Sequence, residues 1–147
     1  MPKDTGFSNY GKRFQESLAQ MILDDRPFAD QIEEVLDTQF FELGYLRVFV
    51  SKIYDYRRKY GVHPTKQILA SILRTELENH NNAVQKQVRD YFARTLIKNV
   101  EDENYIKDTS LDFCKKQKLK EALMQSVDLI QNSSFEEVRK VIDDALK

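Results

Sequence analysis

Apolar residues recur every three or four positions along most of this chain, which is the spacing of one face of an α-helix. Turn-forming residues interrupt the pattern, and the segments between the interruptions predict seven helices. Their predicted bounds are 11–25, 28–36, 40–60, 65–78, 83–98, 104–131 and 134–146. The sequence therefore predicts an all-α protein.

The predicted helices fall into two units. Residues 11–100 are expected to form a compact helical bundle, preceded by a flexible N-terminal arm at residues 1–10. Residues 101–147 are expected to form a protruding helical hairpin leading to a linker, because the helix at 104–131 has about seven turns. Two serine-to-glutamate spacings, Ser133 to Glu136 and Ser134 to Glu137, predict a capping box at the last helix. The residues expected in the bundle core are Phe49, Ile53, Leu69, Ile72, Val88 and Phe92.

Composition narrows the class of protein. The chain has 147 residues, a formal net charge of -1 and 41% hydrophobic residues, a balance expected of one soluble domain. It lacks an apolar run of the roughly 20 residues that a membrane span needs, so no membrane partner is expected. A single cysteine and a polar N-terminal segment predict a cytoplasmic location, in the host cytoplasm if a bacteriophage encodes the chain.

Residues 6–12 match the pattern G-x-x-x-x-G-K of a nucleotide-binding loop. Arg13 follows where that loop needs a serine or threonine to hold magnesium, and too few residues precede Gly6 to form the required strand. His63 and His80 lack a second ligand at helical spacing, and Cys114 lacks a plausible base. We therefore expect no catalytic residue, no metal site and no cofactor site in this segment.

Two basic clusters are candidates for a partner or DNA surface. Basic residues near a helix C-terminus complement its dipole, and lysines keep an exposed helix soluble, so both clusters also have a purely structural explanation. The alternatives are weak contact with DNA and contact with an acidic partner. The candidate residues are Arg57, Arg58, Lys59, Lys115, Lys116, Lys118 and Lys120.

The predicted hairpin is a candidate site of self-association. Two helices bury one seam between them and leave other apolar positions facing water, where a second chain could cover them. The candidate residues are Phe113, Leu119, Leu123, Val127, Val138 and Val141.

The order of these elements resembles one known family. An Asp37-x-x-Phe40-Phe41 approach to a long helix, a Gly61-x-x-Pro64 turn and a terminal hairpin together resemble the N-terminal domain of DnaB-type replicative DNA helicases. The opening Tyr10-Gly11-Lys12-x-Phe14-Gln15 is closer to bacteriophage relatives than to bacterial ones. The resemblance covers roughly residues 8–147 and consists of packing patterns rather than chemical motifs.

The resemblance implies a non-catalytic domain of a hexameric helicase. In that family the domain forms a collar above a ring of ATPase domains, pairs through its hairpin, and offers surfaces to primase and to the helicase loader. The family's ATPase motifs have no counterpart here, so ATP and magnesium are expected only for an ATPase domain outside this segment. A free-standing adaptor of the same fold, such as a loader or inhibitor that binds a helicase, is the alternative.

Overall fold

The chain folds into helices joined by short connections. The computed structural model describes residues 6–132 and 135–147, and within these ranges it contains seven α-helices, two short 3-10 helices and no strand. This confirms the predicted all-α class. The α-helices are α1 (Gly11–Asp24), α2 (Arg26–Ile32), α3 (Gly44–Tyr60), α4 (Lys66–Thr75), α5 (Asn82–Thr95), α6 (Glu103–Gln131) and α7 (Phe135–Ala145).

Three helices begin at side-chain caps. The side chains of Asp25, Thr65 and Asn81 accept hydrogen bonds from backbone N–H groups in the first turns of α2, α4 and α5. Because Asp25 caps α2 and a proline is tolerated in a first turn, Pro27 lies inside α2 rather than ahead of it. The second helix therefore begins two residues before its predicted start and ends at Ile32.

The central helix α3 is shorter than predicted. A 3-10 helix at Thr38–Phe40 overlaps its predicted start, and residues 41–43 are not helical. The side chain of Asp37 accepts a hydrogen bond from Gln39 N in this 3-10 helix. The α-helix then begins at Gly44 and ends at Tyr60, and the residue that caps it, Gly61, has a φ of 73°. Glycine adopts this left-handed conformation without the cost that a Cβ imposes.

The hydrophobic core lies where α1, α3 and α5 meet. Five of the six predicted core residues are buried there, and the exception is Ile72, which is only partly buried. α4 turns Leu69 and Leu73 toward the core, so Ile72 lies on the flank of that helix. This flank forms one wall of a surface groove between α3 and α4.

The segment before α1 is packed against the bundle. Phe7 is fully buried, and its backbone N–H donates to Phe40 O at 2.7 Å. A Cβ at Gly6 would lie 2.7 Å from the same oxygen, so the close approach of these two backbone segments requires glycine there. The prediction of a flexible arm is therefore wrong for residues 6–10, while residues 1–5 lie outside the described residues.

The long helix α6 joins the bundle to the hairpin. Its first half buries Ile106, Leu111 and Cys114 and contacts α1 and α2. Its second half extends past the bundle and packs along α7. The predicted hairpin over 101–147 is consistent with this arrangement. The predicted capping serines, Ser133 and Ser134, lie outside the described residues.

Candidate interaction surfaces

Phe113 packs its ring against the bundle. Its ring centroid lies 5.1 Å from that of Phe7, 5.6 Å from Phe40 and 5.9 Å from Tyr10. These contacts leave it partly buried at the base of the hairpin. The N-terminal segment therefore covers part of Phe113 within the same chain, and Phe113 is left out of the exposed face described for the rest of the hairpin.

The second half of α6 exposes an apolar stripe. Leu123, Val127 and Ile130 are spaced four and three residues apart, so they share one side of the helix, and each is about half exposed, at 51%, 54% and 52%. Leu119 extends the stripe toward the bundle and is partly buried. Leu123 and Val127 are therefore accessible to a second chain, and their part in self-association stays a prediction.

The residue preceding each member of this stripe faces α7. Ala122, Ser126 and Leu129 each come one position before an exposed residue of the stripe, namely Leu123, Val127 and Ile130. Ala122 and Ser126 are buried, and Leu129 is partly buried. The small side chains of Ala122 and Ser126 allow the two helices to approach closely. Because successive residues are rotated by about 100°, the exposed stripe lies about 100° from the seam between α6 and α7.

α7 carries a matching stripe. Phe135 and Leu146 are 71% and 68% exposed, and Ile142 between them is partly buried. The three residues share one side of α7, about 90° from the side formed by Val138, Val141 and Ala145. In an antiparallel pair of right-handed helices, these rotations bring the stripes of α6 and α7 to the same side of the hairpin.

Val138 and Val141 lie nearer the seam than the exposed stripe. Both are partly buried, and Val141 borders a shallow cleft with Gln125 and Leu129 of α6. They were predicted to meet a second chain, but they contribute first to the packing of α7 on α6. The predicted set lacks Ile130, Phe135, Ile142 and Leu146. Helical spacing from Leu123 indicates Ile130, and the spacing of the other three places them on one side of the last helix. We name the set Leu119, Leu123, Val127, Ile130, Phe135, Ile142 and Leu146 the hairpin face.

Arg57 is part of the internal structure of the bundle. Its side chain is 11% exposed and forms an ion pair with Asp30, and a second with Glu33 at 3.0 Å. The hydrogen bond from Arg57 lowers the pKa of Asp30. Arg57 also lies 2.8 Å from His63 Nδ1, while His63 Nε2 lies 2.7 Å from Leu23 O. The guanidinium therefore ties α3 to α2, and Arg57 is excluded from the candidate partner surface.

The other two basic residues of this cluster are exposed. Arg58 pairs with Asp55 at 2.7 Å on the same helix. Lys59 places its Nζ 5.4 Å from the centre of the Tyr60 ring and forms no ion pair within the described residues. Only Lys59 of the predicted cluster is thus both exposed and without a carboxylate partner.

The four lysines of α6 do not form one patch. Lys116 and Lys120 lie on one side of the helix, whereas Lys115 and Lys118 are rotated by roughly 100° to 160° from them. Lys116 pairs with Asp112 at 2.8 Å. A solvated helix surface explains these residues, and the structure does not gather them into a DNA-binding patch.

Other potentially reactive groups are accounted for by packing. Cys114 is buried, and burial raises the pKa of its thiol to about 12. A cleft between α1, α5 and the start of α6 contains Arg13 and Arg94, but these pair with Glu101 and Glu16 respectively. The described part of the chain contains no group of three metal-ligating side chains.

Comparison with known proteins yields no relative. Family models, curated proteins and solved structures were all searched, and none matches this chain significantly. None of the helices at 6–132 and 135–147 has the length and apolar character required to cross a membrane.

Proposed function

We propose that this chain is a non-catalytic, self-associating domain of a hexameric replicative DNA helicase. The hairpin face pairs with the same face of a second copy, and the bundle offers docking surfaces to primase or to a helicase loader. The observation that carries the proposal is the exposure of Leu123, Val127 and Ile130 on α6 and of Phe135 and Leu146 at α7, whose helical spacing brings the two stripes to one side of the hairpin.

The physical argument rests on what this face exposes. Soluble monomers rarely leave large contiguous apolar patches in water, and such patches mark sites of association. A second copy offers a face of identical size and composition, and two-fold pairing of the same surface is the commonest form of homo-oligomer. Self-association is therefore the simplest way to remove the hairpin face from water.

The helicase context rests on the resemblance of the helical order to DnaB-type N-terminal domains. The bundle followed by a long helix and a hairpin has the order of elements that this resemblance implies. The proposed role is to bind and to organise, with ATP hydrolysis left to a separate domain.

Cross-linking through an introduced cysteine tests the pairing. Cys114 is buried, so Val127→Cys supplies an accessible thiol on the hairpin face. Ile97→Cys is the matched control, because Ile97 is 89% exposed at the end of α5. A short bismaleimide should produce covalent dimers of Val127→Cys at concentrations where Ile97→Cys gives none. Equal yields from the two variants would contradict pairing through the hairpin face.

Binding to purified replication proteins tests the helicase context. The immobilised chain should retain a primase or helicase loader encoded by the same genome. Retention of an intact helicase hexamer instead would favour the free-standing adaptor. Retention of none of these proteins would contradict both roles.

A further inference from the structure

A groove between α3 and α4 lies on the bundle and shares no residue with the hairpin face. Its volume is about 280 Å³. The floor contains Tyr56 and Tyr60 from α3 and Ile68 and Ile72 from α4. Tyr60 is 57% exposed and Ile68 is 39% exposed, so the groove opens apolar surface to solvent.

The groove exists because α4 has more apolar residues than those that pack on the core. Leu69 and Leu73 are buried against the bundle, while Ile68 and Ile72, one residue before each, are rotated toward α3. Residues 61–65 connect the two helices, and side chains from both helices line the groove.

The α3 wall is built on a pair of aromatic rings. The centroids of Tyr56 and Tyr60 lie 4.7 Å apart, and Lys59 Nζ lies 5.4 Å from the centroid of Tyr60. These contacts favour one arrangement of the side chains before any partner arrives. A surface that is partly ordered in this way loses less side-chain entropy on binding.

The charges along the α3 wall are unbalanced. Asp55 is paired with Arg58, whereas Lys52 and Lys59 form no ion pair within the described ranges. These two lysines are seven residues apart, so they stand about 10.5 Å apart on one side of α3. With Glu76 at the α4 wall, the groove and the adjoining Arg58 carry three cations against two carboxylates, an excess of one positive charge.

We propose that this groove binds an amphipathic helix of a partner protein that carries two carboxylates about two turns apart. Apolar side chains of that helix fill the space over Tyr56, Tyr60, Ile68 and Ile72, and its carboxylates pair with Lys52 and Lys59. A helix laid in an apolar groove is a recurrent mode of recognition. The aliphatic wall from α4 and the small number of free cations favour a helix over single-stranded nucleic acid, which needs a basic track along its backbone.

A display library of amphipathic helical peptides tests this proposal. The apolar positions are fixed as leucine or phenylalanine, and two flanking positions seven residues apart are varied among glutamate, lysine and serine. The bait is the full chain, compared with the groove variant Lys52→Glu/Lys59→Glu. The charge-matched control is Lys12→Glu/Lys98→Glu, which alters two exposed lysines outside the groove that lack ion pairs within the described residues. Circular dichroism melting establishes that every bait is folded.

The unmodified chain and the control should enrich glutamate at both varied positions, and the groove variant should enrich lysine. The selected acidic peptide should lose at least about tenfold in affinity for the groove variant and stay within about twofold for the control. Absence of enriched helices, absence of a charge preference, or unchanged binding to the groove variant would overturn the proposal. Saturable binding of oligo(dT) that the groove variant abolishes, without any enriched helix, would assign the groove to single-stranded DNA instead. Because the groove does not rest on self-association, these outcomes are independent of the cross-linking result.

Discussion

The aromatic rings of Phe7 and Phe113 lie 5.1 Å apart, so a residue that precedes the first helix is covered by the base of the last hairpin. This contact joins the N-terminal segment to α6 and fixes where the hairpin leaves the bundle. It also separates Phe113 from the residues that remain exposed farther along α6. The hairpin face therefore begins at Leu119.

Truncation of Phe7 should destabilise the whole bundle. Phe7 is fully buried, and Phe7→Ala removes contacts with Phe40, Phe41 and Phe113. We expect a loss of about 3 to 5 kcal/mol in the free energy of unfolding, measured by chemical denaturation. Phe135→Ala is the matched control at dilute concentration, because Phe135 is 71% exposed, and it should change the unfolding free energy little. Equal losses in the two variants would refute the packed N-terminal segment.

Acid should weaken the junction between α6 and the bundle. Lys107 Nζ lies 2.6 Å from Asp25, and the hydrogen bond from Lys107 lowers the pKa of Asp25 below its ordinary value of 3.8. A carboxyl group with a lowered pKa in the folded state stabilises the fold above its unfolded pKa. That contribution is lost as the pH falls through the folded value, below 3.8.

Denaturant titrations across pH 2 to 7 should therefore show that the free energy of unfolding depends less on acid in Asp25→Asn than in the unmodified chain. At neutral pH the unfolding midpoint of Asp25→Asn should be lower. Asp112→Asn removes a carboxylate that is 63% exposed and serves as the control. An acid dependence that is identical in Asp25→Asn and the unmodified chain would show that the pair with Lys107 does not contribute.

Cys114 should be unreactive in the folded protein. Burial raises the pKa of its thiol to about 12 and shields it from reagents. Ellman's reagent at pH 8 should label it only after denaturation, whereas Val127→Cys at dilute concentration, where the chain is dissociated, should gain one rapidly labelled thiol. Rapid labelling of Cys114 in the native chain would contradict its burial.

The sequence predicted the helices because their signals are local. Apolar spacing indicated seven helices, and only their ends shifted where caps such as Asp25 and the 3-10 helix at Thr38–Phe40 compete with the α-helical pattern. The burial of Phe7 could not be predicted in this way. It depends on Phe40 and Phe113, which are distant in sequence and approach only in the folded chain.

The candidate surfaces were predicted less well for the same reason. Arg57 stands in a basic run at the end of α3, and nothing local to that run indicates that Asp30 and Glu33 of the preceding segment will pair with it. The α3/α4 groove likewise depends on how far Ile68 and Ile72 turn from the core. Leu123 and Val127 were identified because an amphipathic pattern wider than one seam is visible in the sequence itself.

Sedimentation equilibrium over a concentration series tests self-association through the hairpin face most directly. Leu123→Asp places a charge where a packed interface would desolvate it, and Ile97→Asp places the same charge on an exposed site of the bundle. We predict that the apparent mass of the unmodified chain and of Ile97→Asp rises with concentration from 17.4 kDa toward twice that value. The apparent mass of Leu123→Asp should remain at 17.4 kDa. An unmodified chain that stays monomeric at the highest concentration, or a Leu123→Asp variant that assembles equally well, would contradict the account.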